Sequence, residues 1–154
     1  MRHGFIKVAA ATPVIRVADC GYNTGKIMEL IDKALEQGNK LVVFPELSVT
    51  GYTCGDLFLQ DTLLRCAMES VKRIAEYSKG KEIAIVVGFP YSVKGKLYNT
   101  AAVICDGKLW KNNQFIFLLI CFIDQFHDSP GIIVAICYSD NRGCCSYFNK
   151  SVLH

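Results

Sequence analysis

The sequence lacks several features that would point to a cofactor or a macromolecular partner. It contains eight cysteines, but no Cys-x-x-Cys pair and no cysteine–histidine spacing typical of a zinc site, so no metal centre is expected. It has no glycine-rich phosphate loop, so we expect no cofactor. Lysine and arginine form no basic run, and the formal net charge is only +3, which argues against a nucleic-acid partner.

Long apolar segments are scarce as well. Residues 115–123 form a run of nine apolar side chains, whereas a bilayer-spanning helix needs about 20, so we expect no membrane partner. The first four residues, MRHG, do not open an apolar stretch of the signal-peptide kind. We therefore expect a cytoplasmic protein with reduced thiols, most of them buried as small apolar groups.

The composition indicates a globular chain of single-domain length with two unlike parts. Apolar residues make up 51% and charged residues 20% of the 154 positions. Residues 1–112 carry 26 charged side chains, whereas residues 113–154 carry five charges and four of the eight cysteines. We interpret residues 1–109 as the amino-terminal part of one domain and residues 110–154 as its divergent, apolar, cysteine-rich tail.

Apolar periodicity predicts an α/β fold. Strands are expected at residues 5–11, 41–44, 83–87 and 98–105, and helices at residues 27–35 and 63–75. Gly38 is a plausible helix stop, and Asp106-Gly107 predicts a hairpin turn. The order β-α-β-α-β-β is typical of a sheet covered by helices. The wholly apolar strand at residues 41–44 predicts that both of its faces are covered.

Glu46 is the candidate of greatest chemical interest. It directly follows the strand at residues 41–44, and open α/β sheets place their sites at the carboxyl ends of strands. Pro45 restricts the backbone before it, and Gly51 permits a sharp turn after it. A carboxylate walled by Phe44 and Tyr52 would be partly desolvated, which would suit a general base. An ordinary surface glutamate at a strand end fits the same pattern.

Several stretches resemble one protein family. Residues 43–52 (VFPELSVTGY) resemble the glutamate motif of the nitrilase superfamily of carbon–nitrogen hydrolases. The stretches HGFIKVAAATP, CGDLF, VGFP and LYNTAAV are similar to one branch, the amino-terminal glutaminase domain of glutamine-dependent NAD⁺ synthetase. The resemblance covers roughly residues 3–109 and implies part of an α-β-β-α sandwich.

The resemblance implies a catalytic glutamate, lysine and cysteine acting on a small, glutamine-like amide. In such a site the cysteine attacks the carbonyl carbon, the glutamate transfers protons and the lysine stabilises the oxyanion. Glu46 matches the glutamate. Tyr52 matches a position that lines the substrate pocket, although an aromatic side chain packed beside a turn fits equally well.

The other two catalytic positions have no clear match. After Lys108 the sequence departs from the family pattern, and Lys111 is the nearest substitute for the lysine, although a solvated hairpin lysine explains it better. Cys137 follows a strand-like apolar stretch but lies only 26 positions after Lys111, and a buried strand cysteine explains it better. Cys144, Cys145 and His127 are assigned no role. We hypothesise that a frameshift, a rearrangement or a truncation produced the tail.

Three functions remain open from the sequence. The first is a glutamine-hydrolysing, ammonia-releasing domain fragment. The second is a stand-alone amidase or nitrilase that acts on another small substrate. The third is an inactive remnant or a homo-oligomerising half-sandwich, whose apolar sheet face would be buried against a partner.

Overall fold

The computed structural model describes residues 5–109. Its elements are β1 (Val8–Ala10), α1 (Cys20–Glu36), β2 (Leu41–Val43), a short 3-10 helix (Gly55–Leu59), α2 (Asp61–Tyr77), β3 (Ala84–Val93), β4 (Lys96–Cys105) and β5 (Lys108–Leu109). The predicted α/β class and element order are confirmed. The 3-10 helix between β2 and α2 was not predicted.

The strands form one sheet in the order β1-β2-β3-β4-β5. The first three strands are parallel, while β3, β4 and β5 pair antiparallel. Each parallel pair is joined by a helical crossover. Since such crossovers are right-handed and both step in the same direction across the sheet, α1 and α2 lie on the same face. The Ser70 hydroxyl on α2 reaches the carbonyl oxygen of Cys20 on α1 at 3.5 Å, so the two helices also contact each other.

Each helix begins and ends for local reasons. Asp19 caps α1, because its Oδ1 accepts a hydrogen bond of 3.0 Å from the backbone N–H of Tyr22. Gly38 directly follows the C-cap of α1 with φ of +75° and supplies the left-handed conformation that ends this helix, whereas Gly80, with φ of +74°, lies two residues beyond the C-cap of α2. Gly38 as a helix stop is therefore confirmed.

Two tight hairpins build the antiparallel half of the sheet. Asp106 and Gly107 have φ of +47° and +76°, as a type I′ turn requires, which confirms the predicted hairpin. Lys94 and Gly95 form a second turn of the same kind, with φ of +50° and +74°. The sequence did not predict this turn, because Lys-Gly is a weaker hairpin signal than Asp-Gly. Consequently β3 extends to Val93, beyond its predicted end at residue 87.

The core lies between the sheet and the two helices. Val42, Ile85 and Ile104 are in register on adjacent strands, and each is fully buried. From the helices, the buried apolar side chains are those of Ile27, Ile31, Ala34, Leu63, Ala67, Val71, Ile74 and Ala75. These positions recur at three- and four-residue spacing, which places them on one stripe of each helix. The amphipathic helices are thus confirmed.

The opposite face of the sheet is apolar and only partly covered. Ala10, Val43, Val86 and Val103 form a cross-strand row on this face, which we call the open face. Val43 is 39% exposed, and its neighbour Val8 is 56% exposed. The prediction that both faces of this strand are covered is therefore wrong for residues 5–109, because both crossovers place their helices on one side. These residues form one helix layer and one sheet of the predicted sandwich.

Residues 5–109 contain no helix that is long and apolar enough to cross a membrane.

Candidate active site

Glu46 lies just beyond the carboxyl end of β2. The backbone N–H of Phe44 still donates to the carbonyl oxygen of Val86 at 2.8 Å, so strand pairing continues for one residue past β2. Pro45 then ends the strand, since it has no N–H to donate. Glu46 is thereby placed at the carboxyl edge of the parallel strands, as the sequence predicts.

A compact turn follows Glu46. Ser48 N–H donates to the Pro45 carbonyl at 3.3 Å, and the N–H groups of Thr50 and Gly51 both donate to the Leu47 carbonyl, at 3.1 and 2.8 Å. Leu47 has φ of +51°, a left-handed conformation that costs a non-glycine residue roughly 1–2 kcal/mol. Leu47 is also 1% exposed, and burial of its side chain offsets that cost. The turn is therefore held in one shape by packing.

Gly88 on β3 brings the Glu46 backbone against the sheet. A Cβ built on Gly88 would lie 2.6 Å from the Pro45 carbonyl oxygen, 2.6 Å from the Leu47 nitrogen and 2.8 Å from the Glu46 Cα. Such distances are too short for any side chain, so the approach requires glycine. The Gly88 carbonyl also accepts a hydrogen bond of 3.2 Å from Val49 N–H. Backbone contacts on both sides of Glu46 thus fix the position of its Cα, from which the side chain extends.

Asn99 on β4 contacts the carboxylate group of Glu46 and fixes its position. The Nδ2 of Asn99 donates a hydrogen bond to Oε1 of Glu46. Asn99 is 4% exposed and is in register with Pro90 on β3, two residues along from Gly88. Sequence reasoning did not single out Asn99, although it belongs to the LYNTAAV stretch that resembles the family. Only strand register brings it to Glu46, 53 positions away in the sequence.

The predicted surroundings of Glu46 need a correction. Phe44 and Tyr52 were expected to wall the carboxylate and desolvate it, but Glu46 is exposed among the described residues, and Tyr52 is 69% exposed. Phe44 is buried on the helix-covered face together with Val42, since alternate strand residues share a face. Glu46 instead reaches Asn99 on the open face. The expectation was wrong because it treated neighbours in sequence as neighbours in space.

Tyr52 follows Gly51, which has φ of +89°. A Cβ on Gly51 would lie 3.4 Å from the Cα of Val17 and 3.5 Å from Cδ1 of Ile15, so this turn packs against the segment that leads into α1. The Tyr52 side chain is exposed to solvent there. Its predicted contact with substrate remains a prediction.

Lys111 and Cys137 lie outside the described residues, as do His127, Cys144 and Cys145. Of the four cysteines within residues 5–109, Cys20 and Cys54 are buried and Cys66 and Cys105 are exposed, so the expected burial holds for half of them.

None of the four described cysteines is suited to act with Glu46. Burial raises the pKa of the Cys20 thiol to about 11, and burial also raises the pKa of the Cys54 thiol, which disfavours the reactive thiolate. Cys66 lies on α2, in the helix layer on the face opposite Asn99. Cys105 lies six residues along β4 from Asn99, which is roughly 20 Å at the usual rise of a strand. The four cysteines within residues 5–109 therefore do not place a reactive thiolate beside Glu46.

The described residues hold no cluster of three or more histidine, cysteine, aspartate or glutamate side chains that could bind a metal ion. A cleft of about 480 Å³ lies elsewhere, between the start of α1 and α2. Its lining includes Asp19, Cys20, Cys66, Ser70 and Arg73, and not Glu46. Glu46 is exposed among the described residues and lies outside this cleft, at the sheet edge.

Comparisons with known proteins identify the family. The family model for carbon–nitrogen hydrolase matches residues 7–115. Glutamine-dependent NAD(+) synthetase from Mycobacterium tuberculosis is 34% identical over 106 residues, and its counterpart from Xylella fastidiosa is 37% identical over 106 residues. These alignments cover 69% and 68% of this chain, but only 16% and 19% of the relatives.

Solved structures agree with the sequence comparisons. Glutamine-dependent NAD⁺ synthetase from Acinetobacter baumannii superposes with a TM-score of 0.63 at 34% identity, covering 69% of this chain and 20% of that one. An amidase from Nesterenkonia sp. superposes with the same TM-score at 22% identity, covering 72% and 43%, which supports the fold alone. The predicted nitrilase-type fold and the resemblance to the NAD⁺ synthetase glutaminase part are confirmed. This chain belongs to the carbon–nitrogen hydrolase family.

Proposed function

We propose that this chain carries the general-base part of an amide-hydrolysing site, with Glu46 as the base and a small, glutamine-like amide as substrate. The observation that supports this most strongly is the seating of Glu46 at the carboxyl edge of the parallel strands. Its backbone rests on Gly88 and its carboxylate accepts a hydrogen bond from Asn99. An ordinary surface glutamate needs neither contact.

The proposed chemistry is conversion of an amide and water to a carboxylic acid and ammonia. Glu46 would accept the proton of a thiol as the sulfur attacks the amide carbonyl carbon. It would then return that proton to the nitrogen as the carbon–nitrogen bond breaks and ammonia leaves. In the second half Glu46 would take a proton from water, which attacks the thioester and releases the acid and the thiol. A lysine ammonium would stabilise the negative oxygen in each half.

We assign the two partners of Glu46 in this scheme, a cysteine and a lysine, to positions outside residues 5–109. Cys137 and Lys111 are the candidates that this sequence offers. Tyr52 is proposed to line the substrate side of the site. The protein is proposed to act in the cytoplasm, without a cofactor and without a nucleic-acid or membrane partner.

A glutaminase assay tests the proposal directly. The purified chain is incubated with glutamine and ammonia is measured, alongside Glu46→Gln, Cys137→Ala and, as a control carboxylate, Glu82→Gln. Glu82 is suitable because its side chain is 87% exposed and pairs only with Lys40 among the described residues. We expect ammonia release in the wild type and the control, and its loss in Glu46→Gln.

Other outcomes separate the alternatives. Release that survives Cys137→Ala would assign the nucleophile elsewhere, whereas release from short aliphatic amides but not glutamine would favour a stand-alone amidase. A folded chain without any amide hydrolysis would overturn the proposal.

A second candidate function rests on the open face. The exposure of Val8 and Val43 leaves apolar surface that a non-enzymatic half-sandwich would bury against another copy of itself. Sedimentation equilibrium distinguishes this role, because a dimer that dissociates on Val43→Lys and never hydrolyses amides would favour it over catalysis.

A further inference from the structure

Asn99 is a buried polar side chain whose role the fold alone does not explain. Its neighbour Thr100 uses its hydroxyl to bond the carbonyl oxygen of Phe89 at 2.7 Å, a contact within the β3–β4 ladder. Asn99 is buried to a similar extent, with 4% exposed against 2%, but points to the other face. There its amide donates to an ionisable side chain from a different segment. Burying an amide is costly unless it is hydrogen-bonded, so this contact matters to both partners.

The chemical character of the donor fits a base. A lysine or arginine in the place of Asn99 would add a positive charge and hold a proton acceptor in its ionised form too strongly. A second carboxylate would repel it. A neutral amide fixes the direction of the carboxylate while changing its charge environment least. Within residues 5–109 only Oε1 of Glu46 is occupied in this way, which leaves Oε2 for proton transfer.

We propose that Asn99 is a positioning residue that sets the orientation of the Glu46 carboxylate, with Gly88 setting the position of its backbone. The inference rests on the proposed role of Glu46 as the base. Gly88 and Asn99 lie on the same face, because Gly88 pairs with Ala101 and Pro90 pairs with Asn99 in one ladder. The β3–β4 hairpin thus carries both contacts to Glu46 and forms its seat, and we assign proton transfer to Oε2.

The first test separates orientation from folding. Asn99→Asp keeps the shape but replaces the donor by a like charge, and Asn99→Ala removes the donor. Thr100→Val is the matched control, since it removes a buried hydrogen bond of the adjacent residue on the opposite face. We expect kcat for ammonia release to fall about 10- to 100-fold in both Asn99 variants with KM nearly unchanged, as loss of a charge-assisted hydrogen bond predicts. Thr100→Val should lose stability and keep kcat.

The second test does not need activity. In ¹⁵N spectra of the whole chain, the side-chain amide protons of Asn99 are assigned by their loss in Asn99→Ala. They should move to higher field in Glu46→Gln, because a neutral acceptor replaces a charged one. The same protons should stay in place in Glu82→Gln.

The outcomes keep the two proposals apart. If the Asn99 resonance shifts in Glu46→Gln but the wild type hydrolyses no amide, the contact between Asn99 and Glu46 is supported and the role of Glu46 as general base is rejected. If hydrolysis is lost in Glu46→Gln but unchanged in Asn99→Asp, the role of Glu46 as general base is supported and the positioning role of Asn99 is rejected. An unchanged chemical shift of the Asn99 side-chain amide protons in Glu46→Gln would also overturn the positioning role.

Discussion

Gly88 lies directly beneath Glu46, and a Cβ at position 88 would stand 2.8 Å from the Glu46 Cα. No rotamer change relieves this contact, since the nearby atoms all belong to the backbone of residues 45–47. A strand glycine normally weakens a sheet, because it adds chain entropy and no side-chain packing. Here that weakness permits the close approach on which the candidate site depends.

Gly88→Ala should therefore affect both the stability of the chain and the position of the Glu46 turn. We expect a loss of roughly 1–3 kcal/mol in the free energy of unfolding, as for other overpacked interiors, and displacement of the Glu46 turn. Gly25→Ala is the control, because Gly25 lies on α1 and a Cβ built there has no neighbouring atom within 4 Å. That change should stabilise the chain by about 0.5–1 kcal/mol. Urea denaturation of the two variants measures both effects, and equal midpoints would contradict the close approach.

The two faces of β2 should respond differently to truncation. Val42 is fully buried on the helix-covered face, while Val43 on the open face is 39% exposed. We expect Val42→Ala to cost roughly 2 kcal/mol and Val43→Ala less than about half of that. Urea denaturation at low protein concentration checks this, because self-association would bury the open face. Equal losses for the two variants would mean that another layer covers Val43.

Acid should weaken one link between the two helices. The Tyr77 hydroxyl on α2 donates to Oδ2 of Asp32 on α1, and Lys81, which follows α2, donates to Oδ1 at 2.9 Å. The Tyr77 hydrogen bond, with help from Lys81, lowers the pKa of the Asp32 carboxyl on α1. A lowered folded-state pKa gives stability that is present above the ordinary aspartate value of about 3.9, and it is lost as pH falls through the folded-state value.

Tyr77→Phe should accordingly cost about 1 kcal/mol or less at pH 7, because the Asp32 side chain is 43% exposed and water screens the interaction. The difference from wild type should shrink below about pH 4, where the carboxyl takes up a proton. Tyr52→Phe, with its ring 69% exposed, is the control. Unfolding curves of wild type and Tyr77→Phe at pH 7 and pH 3 test this prediction. If the difference in free energy of unfolding is the same at both pH values, the link to Asp32 is rejected.

Tyr52 should affect substrate rather than stability. Its exposed ring contributes little to the core, so Tyr52→Ala should change the free energy of unfolding by less than about 0.5 kcal/mol. If the ring lines the substrate side of the site, KM for the amide should rise severalfold. Leu59→Ala removes a side chain that is 75% exposed and serves as the control. An unchanged KM in Tyr52→Ala would leave Tyr52 as a surface aromatic.

Much of the layered fold can be predicted from local sequence. The two helices show apolar residues at helical spacing, Gly38 ends the first of them, and Asp106-Gly107 makes a type I′ hairpin. These features depend on residues within a few positions of one another, so their physics is contained in the sequence. The same holds for the placement of Glu46 after an apolar strand and a proline.

The surroundings of Glu46 could not be predicted in this way. Asn99 reaches it across 53 positions, and Gly88 reaches it across 42, through the register of β3 with its neighbours. The left-handed backbone of Leu47 has no local signal either, because burial of its side chain is what stabilises it. The expected walls of the site, Phe44 and Tyr52, were close in sequence but not in space.

The sequence by itself therefore determined the family, the element order and the identity of the candidate base. Each follows from short motifs or from the spacing of apolar residues. Only the tertiary structure decided which residues hold that base and which face of the sheet has no helix layer within residues 5–109. Pairing register and crossover handedness fix both, and these arise when distant segments pack together.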